Sequence, residues 1–89
     1  MDSRLRVFKA VANKKRLRLI TVLHTKGRMS LSEISDDMDI PQTTACRNLK
    51  ILEGAGLVKS EIRNALAEYW ISHDKHSFLV QQILAIIIM

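Results

Sequence analysis

One cysteine, one proline and three glycines are all this chain has of those residues, and two of these scarcities close off a class of chemistry. A lone Cys46 excludes an internal disulfide, and nothing else points to an oxidising compartment. Gly27, Gly54 and Gly56 fall at helix ends by their spacing, so no phosphate-cradling glycine loop is present. There is no histidine–carboxylate–nucleophile arrangement and no paired-acid spacing, which leaves an enzyme without machinery. Long apolar runs are missing too. Phe78–Met89 is interrupted by Gln81 and Gln82 and falls well short of the ~20 residues that span a bilayer. The N-terminus carries Asp2, Arg4 and Arg6 instead of the apolar segment of a signal peptide. These absences make a cytoplasmic, non-enzymatic protein the expectation, and no repeat, low-complexity tract or linker divides the chain.

Positive charge is what the chain does have. A net charge of +5 and a pI near 9.8 favour a polyanionic partner. With 47% hydrophobic and 26% charged residues, the composition is that of a folded protein. At 89 residues the chain is read as one domain, residues 1–89. A domain of this size buries only about 60–68% of the surface its unfolded form exposes, so a partner subunit would help it.

Periodicity predicts five helices and a hairpin. Ser3 can cap a first helix with Leu5, Phe8, Val11 and Ala12 on one stripe. Asn13 can cap a second over Lys14–Thr25, where Leu17, Ile20, Thr21, Leu23 and His24 recur, and Gly27 closes it. Ser30-Leu31-Ser32-Glu33 is a capping box for a third helix, Leu31–Met38, that buries Leu31, Ile34 and Met38. Pro41 suits the first position of a fourth, Gln42–Ala55, with Ala45, Leu49 and Leu52 inward. Thr43, Cys46, Arg47 and Lys50 lie on its other side, with Gln42 leading. After Gly56 come two strand-like stretches, Leu57–Ile62 and Leu66–Ile71, joined by Arg63-Asn64-Ala65, where Asn64 tolerates a left-handed backbone. A last helix from Asp74 is apolar nearly all round. Helix, sharp turn, helix and hairpin make an α+β, mostly helical, winged helix-turn-helix layout, and in a basic chain that points to DNA.

Four segments in register resemble the ArsR-type winged-helix repressors. Residues Phe8 to Ile20 look like the family's "ALADPTRLRIL" opening, and Leu31-Ser32-Glu33-Ile34 like its "ELA" third helix. Thr43 to Leu52 lie on its "STVSHHLKVL" recognition helix, and Gly54-Ala55-Gly56-Leu57-Val58 on "EAGLV". The resemblance covers most of residues 5–71 and implies a homodimeric, sequence-specific DNA-binding regulator paired through its first and last helices. It does not bring a metal with it. Where metal-sensing members carry Cys-x-Cys, this chain reads Ser30-Leu31-Ser32, and the last helix offers only His73 and His76 with Asp74.

The expected DNA surface is therefore Gln42, Thr43, Thr44, Cys46, Arg47 and Lys50, with Lys14, Lys15 and Arg16, and with Arg63 and Asn64 at the wing tip. Arg47 has the fork to hold guanine and Gln42 the amide to hold adenine. Solvated helix faces are the plainer reading of the lysines. Cys46 reads either as a thiol sensor or as a small packing residue. His73 and His76, three apart, are read as half-exposed histidines beside a capping Asp74 before they are read as ligands. The expected dimer surface is Leu5, Phe8, Phe78, Leu79, Ile83, Ile86 and Ile87, with no metal, cofactor or membrane partner. The competing reading is a winged helix that docks an acidic protein partner through the same face.

Overall fold

Asp2, one residue earlier than the sequence suggests, opens the first helix by accepting a hydrogen bond from the Arg4 amide at 2.8 Å. The structure, a computed structural model, describes residues 2–73 and 78–89. Its elements are α1 (Ser3–Val11), α2 (Lys14–Lys26), β1 (Met29–Ser30), α3 (Leu31–Met38), α4 (Gln42–Gly54), β2 (Val58–Arg63), β3 (Leu66–Ile71) and α5 (Phe78–Ile87).

Each boundary has a local cause. The Asn13 side chain accepts from the Arg16 amide at 3.1 Å and starts α2, and Gly27 ends it with φ 80°. The capping box is complete: the Ser30 hydroxyl accepts from the Glu33 amide at 3.1 Å, and the Glu33 carboxylate from the Ser30 amide at 2.9 Å. The Ser30 amide first, and the Ser30 hydroxyl after it, hold the Glu33 carboxyl below the ordinary carboxylate range.

Two Schellman motifs frame the helix-turn-helix. At the end of α3, Ile40 N–H donates to Ser35 C=O at 3.1 Å and Asp39 N–H to Asp36 C=O at 3.3 Å. Asp39 takes the left-handed position, φ 54° and ψ 50°, that glycine usually fills. At the end of α4 the same pair of bonds runs from Leu57 to Leu52 at 3.0 Å and from Gly56 to Glu53 at 2.9 Å. Gly56 takes the left-handed position with φ 81°. Pro41 stands just outside α4 rather than at its first helical position. Its ψ of 146° is extended, and its carbonyl accepts the first helical bond from Ala45.

The strands form one antiparallel sheet in the order β1-β3-β2. The wing is a two-residue hairpin: Arg63 pairs with Leu66, and both Asn64 and Ala65 are left-handed, φ 52° and 65°. The left-handed Asn64 matches its sequence reading, and Ala65 is the unexpected member. Strand β1, which has no signature in the sequence, sets Met29 opposite Tyr69 and Ser30 opposite Glu68.

The core gathers Leu19, Ile20 and Leu23 of α2, Ile34 and Met38 of α3, and Ala45, Leu49 and Leu52 of α4. Leu57, Val58, Tyr69 and Ile71 roof it, and Val80 and Leu84 of α5 close it. Two helices are rotated from their expected faces. Helix α1 buries Val7 and Ala10 while Leu5 and Phe8 are exposed, and α2 turns Leu17, Thr21 and His24 outward. Both helices carry apolar residues on more than one side, and the contact is chosen by fit. The small Ala10 lets α1 approach, and Arg16 locks its C-terminal carbonyls. Leu31 is half-buried, while Ile34 and Met38 are buried as expected. The expected start of the last helix at Asp74 lies outside the described residues. Among the described residues no helix is long and apolar enough to cross a membrane.

Candidate nucleic-acid interface

Helix α4 is amphipathic in the way its residues dictate. With Ala45, Leu49 and Leu52 fully buried, the helical period leaves Thr43, Arg47 and Lys50 exposed to solvent, and Gln42 is exposed as the leading residue of the helix. These four form a polar ridge on the second helix of the helix-turn-helix. Thr44 and Cys46 sit at its flanks and are half-buried. Cys46 turns toward the sheet. Burial pushes the Tyr69 hydroxyl above its ordinary range, and the neighbouring Cys46 and Glu53 add to the rise.

Lys14 and Lys15 are exposed on the first turn of α2, and Arg63 and Asn64 are exposed at the wing tip. Arg16 is placed differently from its sequence reading. Its guanidinium donates to Ala10 C=O at 2.6 Å, Lys9 C=O at 3.3 Å and the Asn48 side-chain oxygen at 3.1 Å. A side chain with all these internal partners is a brace between helices and not an outward phosphate donor. Its favourable seat is the C-terminal end of α1, where helix carbonyls lack helical partners and attract a cation.

Asn48 is the residue that sequence reasoning missed. It is buried, its amide nitrogen donates to Thr44 C=O at 3.0 Å, and its oxygen receives Arg16. The available signal is its position. Asn48 lies three residues after Ala45 and four before Leu52, a polar side chain inside an apolar stripe, and a buried amide needs a partner. Arg28 is the second omission. Glu61 and Glu68 face each other across the wing, and Arg28 bonds to both, to Glu68 at 2.7 Å, with its guanidinium 4.2 Å from the Trp70 ring. It neutralises a like-charge pair that would otherwise splay the strands.

Charge is sorted by this arrangement. Ion pairs engage Asp2 with Arg4, Asp37 with Lys26, and Glu61 and Glu68 with Arg28. No such pair joins Lys14, Lys15, Arg47, Lys50 or Arg63 to a carboxylate among the described residues. The ridge, the start of α2 and the wing tip therefore keep their positive charge for an outside anion. For metal, the described residues hold no group of three histidine, cysteine or carboxylate side chains, and Asp74 and His76 lie outside them.

Comparison with known proteins agrees with this geometry. A helix-turn-helix domain family matches residues 2–61. An uncharacterised HTH-type transcriptional regulator of Methanocaldococcus jannaschii is 33% identical over 69 residues, 78% of each chain. The homodimeric winged helix-turn-helix DNA-binding domain of a candidate ArsR-family regulator from Mycobacterium bovis is 29% identical. It superposes with a TM-score of 0.79 over 97% of this chain and 75% of that one. HlyU of Vibrio cholerae, 24% identical, has the same fold at a TM-score of 0.77 over 94% of this chain and 86% of its own.

Proposed function

The chain belongs to the helix-turn-helix family of transcription regulators, in its ArsR-type winged form, and from that premise we propose that it is a homodimeric repressor that reads a pseudo-palindromic operator. The observation that carries this reading is the exposed ridge Gln42, Thr43, Arg47 and Lys50, flanked by cations that have no carboxylate partner among the described residues. Arg47 makes the bidentate contact to guanine and Gln42 the contact to adenine, with Thr43 on phosphate or a thymine methyl. Lys14 and Lys15 hold phosphates, and Arg63 and Asn64 track the backbone or minor groove beside the wing. Arg16, Thr44 and Cys46 support the ridge from behind.

The whole chain, residues 1–89, acts as one such domain. Its second copy packs against the exposed Leu5 and Phe8 of α1 and against Phe78 and Ile86 of α5, with Leu79, Ile83 and Ile87 at the margin. The two-fold axis then sets two ridges in successive major grooves, about 34–36 Å apart. Binding over a promoter excludes the polymerase. Selection of bound fragments from random duplex DNA, followed by sizing of the free protein, tests this. A symmetric consensus and a dimer are expected. A monomer that enriches no sequence, or one that captures only acidic proteins, overturns it.

A further inference from the structure

Between α1 and α4 lies an open groove of about 350 Å³ with four cations in its walls and no carboxylate. Arg6 and Lys9 come from α1, Arg16 from α2 and Lys50 from α4, while Ala10 and Ile51 supply uncharged wall. None of the four cations is ion-paired to a carboxylate among the described residues. Like charges collected in one cleft repel each other and raise the local concentration of anions. The apolar portion sets a further condition. Ile51 is 42% exposed and is the apolar residue that α4 leaves open to solvent, here beside the cations. A bare phosphate does not use such a wall; an anion with a hydrocarbon body does. The volume falls in the range of small-molecule sites, about 300–1,000 Å³.

We propose that this groove binds a small organic anion, a carboxylate on a short apolar body, and that its occupancy draws Lys50 off DNA. Lys50 belongs to both surfaces, since it lines the groove and stands on the exposed ridge of α4. The regulatory half of the proposal rests on the DNA reading; the binding half does not. At the helical 100° per residue Arg6 lies about 160° around α1 from Phe8, while Lys9 lies about 40° from Leu5, so the proposed dimer surface borders the Lys9 wall of the groove.

The test titrates the full chain with octanoate, with octanol as the apolar control and inorganic phosphate as the charge control, reading backbone amide shifts. Octanoate is expected to give saturable shifts at Arg6, Lys9 and Ile51, about tenfold tighter than phosphate, and octanol none that saturate. The double variant Arg6→Gln, Lys9→Gln should weaken octanoate about tenfold and leave the DNA affinity of the ligand-free protein unchanged. Saturating octanoate should lower DNA affinity several-fold. Linear shifts, phosphate equal to octanoate, or no loss in the double variant overturns the site. A double variant that loses DNA binding instead makes the groove a contact to the DNA backbone and also overturns it. Octanoate binding with unchanged DNA affinity overturns the effector role. If the chain binds no duplex before octanoate is added, the DNA reading fails, and the amide titration still judges the groove.

Discussion

The Arg16 guanidinium and the Asn48 side-chain oxygen lie 3.1 Å apart, joining α2 to the inner edge of α4. The same guanidinium holds the last carbonyls of α1, so one side chain aligns three helices. The orientation of the α4 ridge is expected to depend on this brace.

Asn48→Ala removes an acceptor from a part-buried cation and leaves Thr44 C=O without its side-chain donor. A loss of about 1–3 kcal/mol in unfolding free energy is expected from urea denaturation. Operator affinity should fall as well, although Asn48 faces away from solvent. An unchanged midpoint with unchanged affinity would remove Arg16 and Asn48 from any positioning role.

On the ridge itself, Arg47→Ala should weaken operator binding by ~1–3 kcal/mol and flatten the preference among base substitutions. Lys15→Ala should instead weaken all duplexes alike and reduce the slope of log affinity against log salt by about one. Gel-shift titrations across salt concentration separate the two. The same loss of sequence ranking in both variants would contradict the division between reading and positioning.

Ala65 and Asp39 both sit at positive φ, where a Cβ is crowded. Ala65→Gly relieves strain of about 1–2 kcal/mol, offset in part by the larger backbone entropy of glycine in the unfolded chain. A modest rise in melting temperature is expected. Asp39→Val places a β-branched side chain in the left-handed position and should lower it sharply. A Val variant as stable as the parent would mean that the turn can be rebuilt.

Glu33 gives the capping box a pH dependence of known sign. Its folded carboxyl titrates lower than in the unfolded chain, so its contribution is complete above the ordinary carboxylate range. That contribution fades as pH falls through the depressed folded value. The parent protein should therefore lose more stability than Glu33→Gln between neutrality and about pH 3. Parallel acid limbs in the two proteins would show that the box does not titrate.

Local signals were legible and rotational ones were not. Ser30 and Glu33, Asn13, Gly27, Gly56 and Asn64 act within a few residues of themselves, and their roles follow from chemistry that the chain states directly. The inward set Ala45, Leu49 and Leu52 is readable because the opposite side of α4 is polar. In α1 and α2 apolar residues occur on several sides, so the choice of Val7 and Ala10 over Leu5 and Phe8 waits on tertiary fit. Strand β1 is two residues long and exists through its pairing with Tyr69 and Glu68, some forty positions away. Arg16 reads as one more cation at a helix start until Asn48 and the carbonyls of α1 are placed around it.

Ser30 ends β1 and caps α3, so a single residue belongs to the sheet and to the helix-turn-helix at once. Tilting α3 against β3 therefore disturbs either the Ser30 pairing with Glu68 or the capping bonds to Glu33. On the proposed DNA reading, a duplex whose groove width does not match the spacing of ridge and wing deforms to fit them, and DNA stiffness then becomes a term in target choice even at base pairs that no side chain reaches.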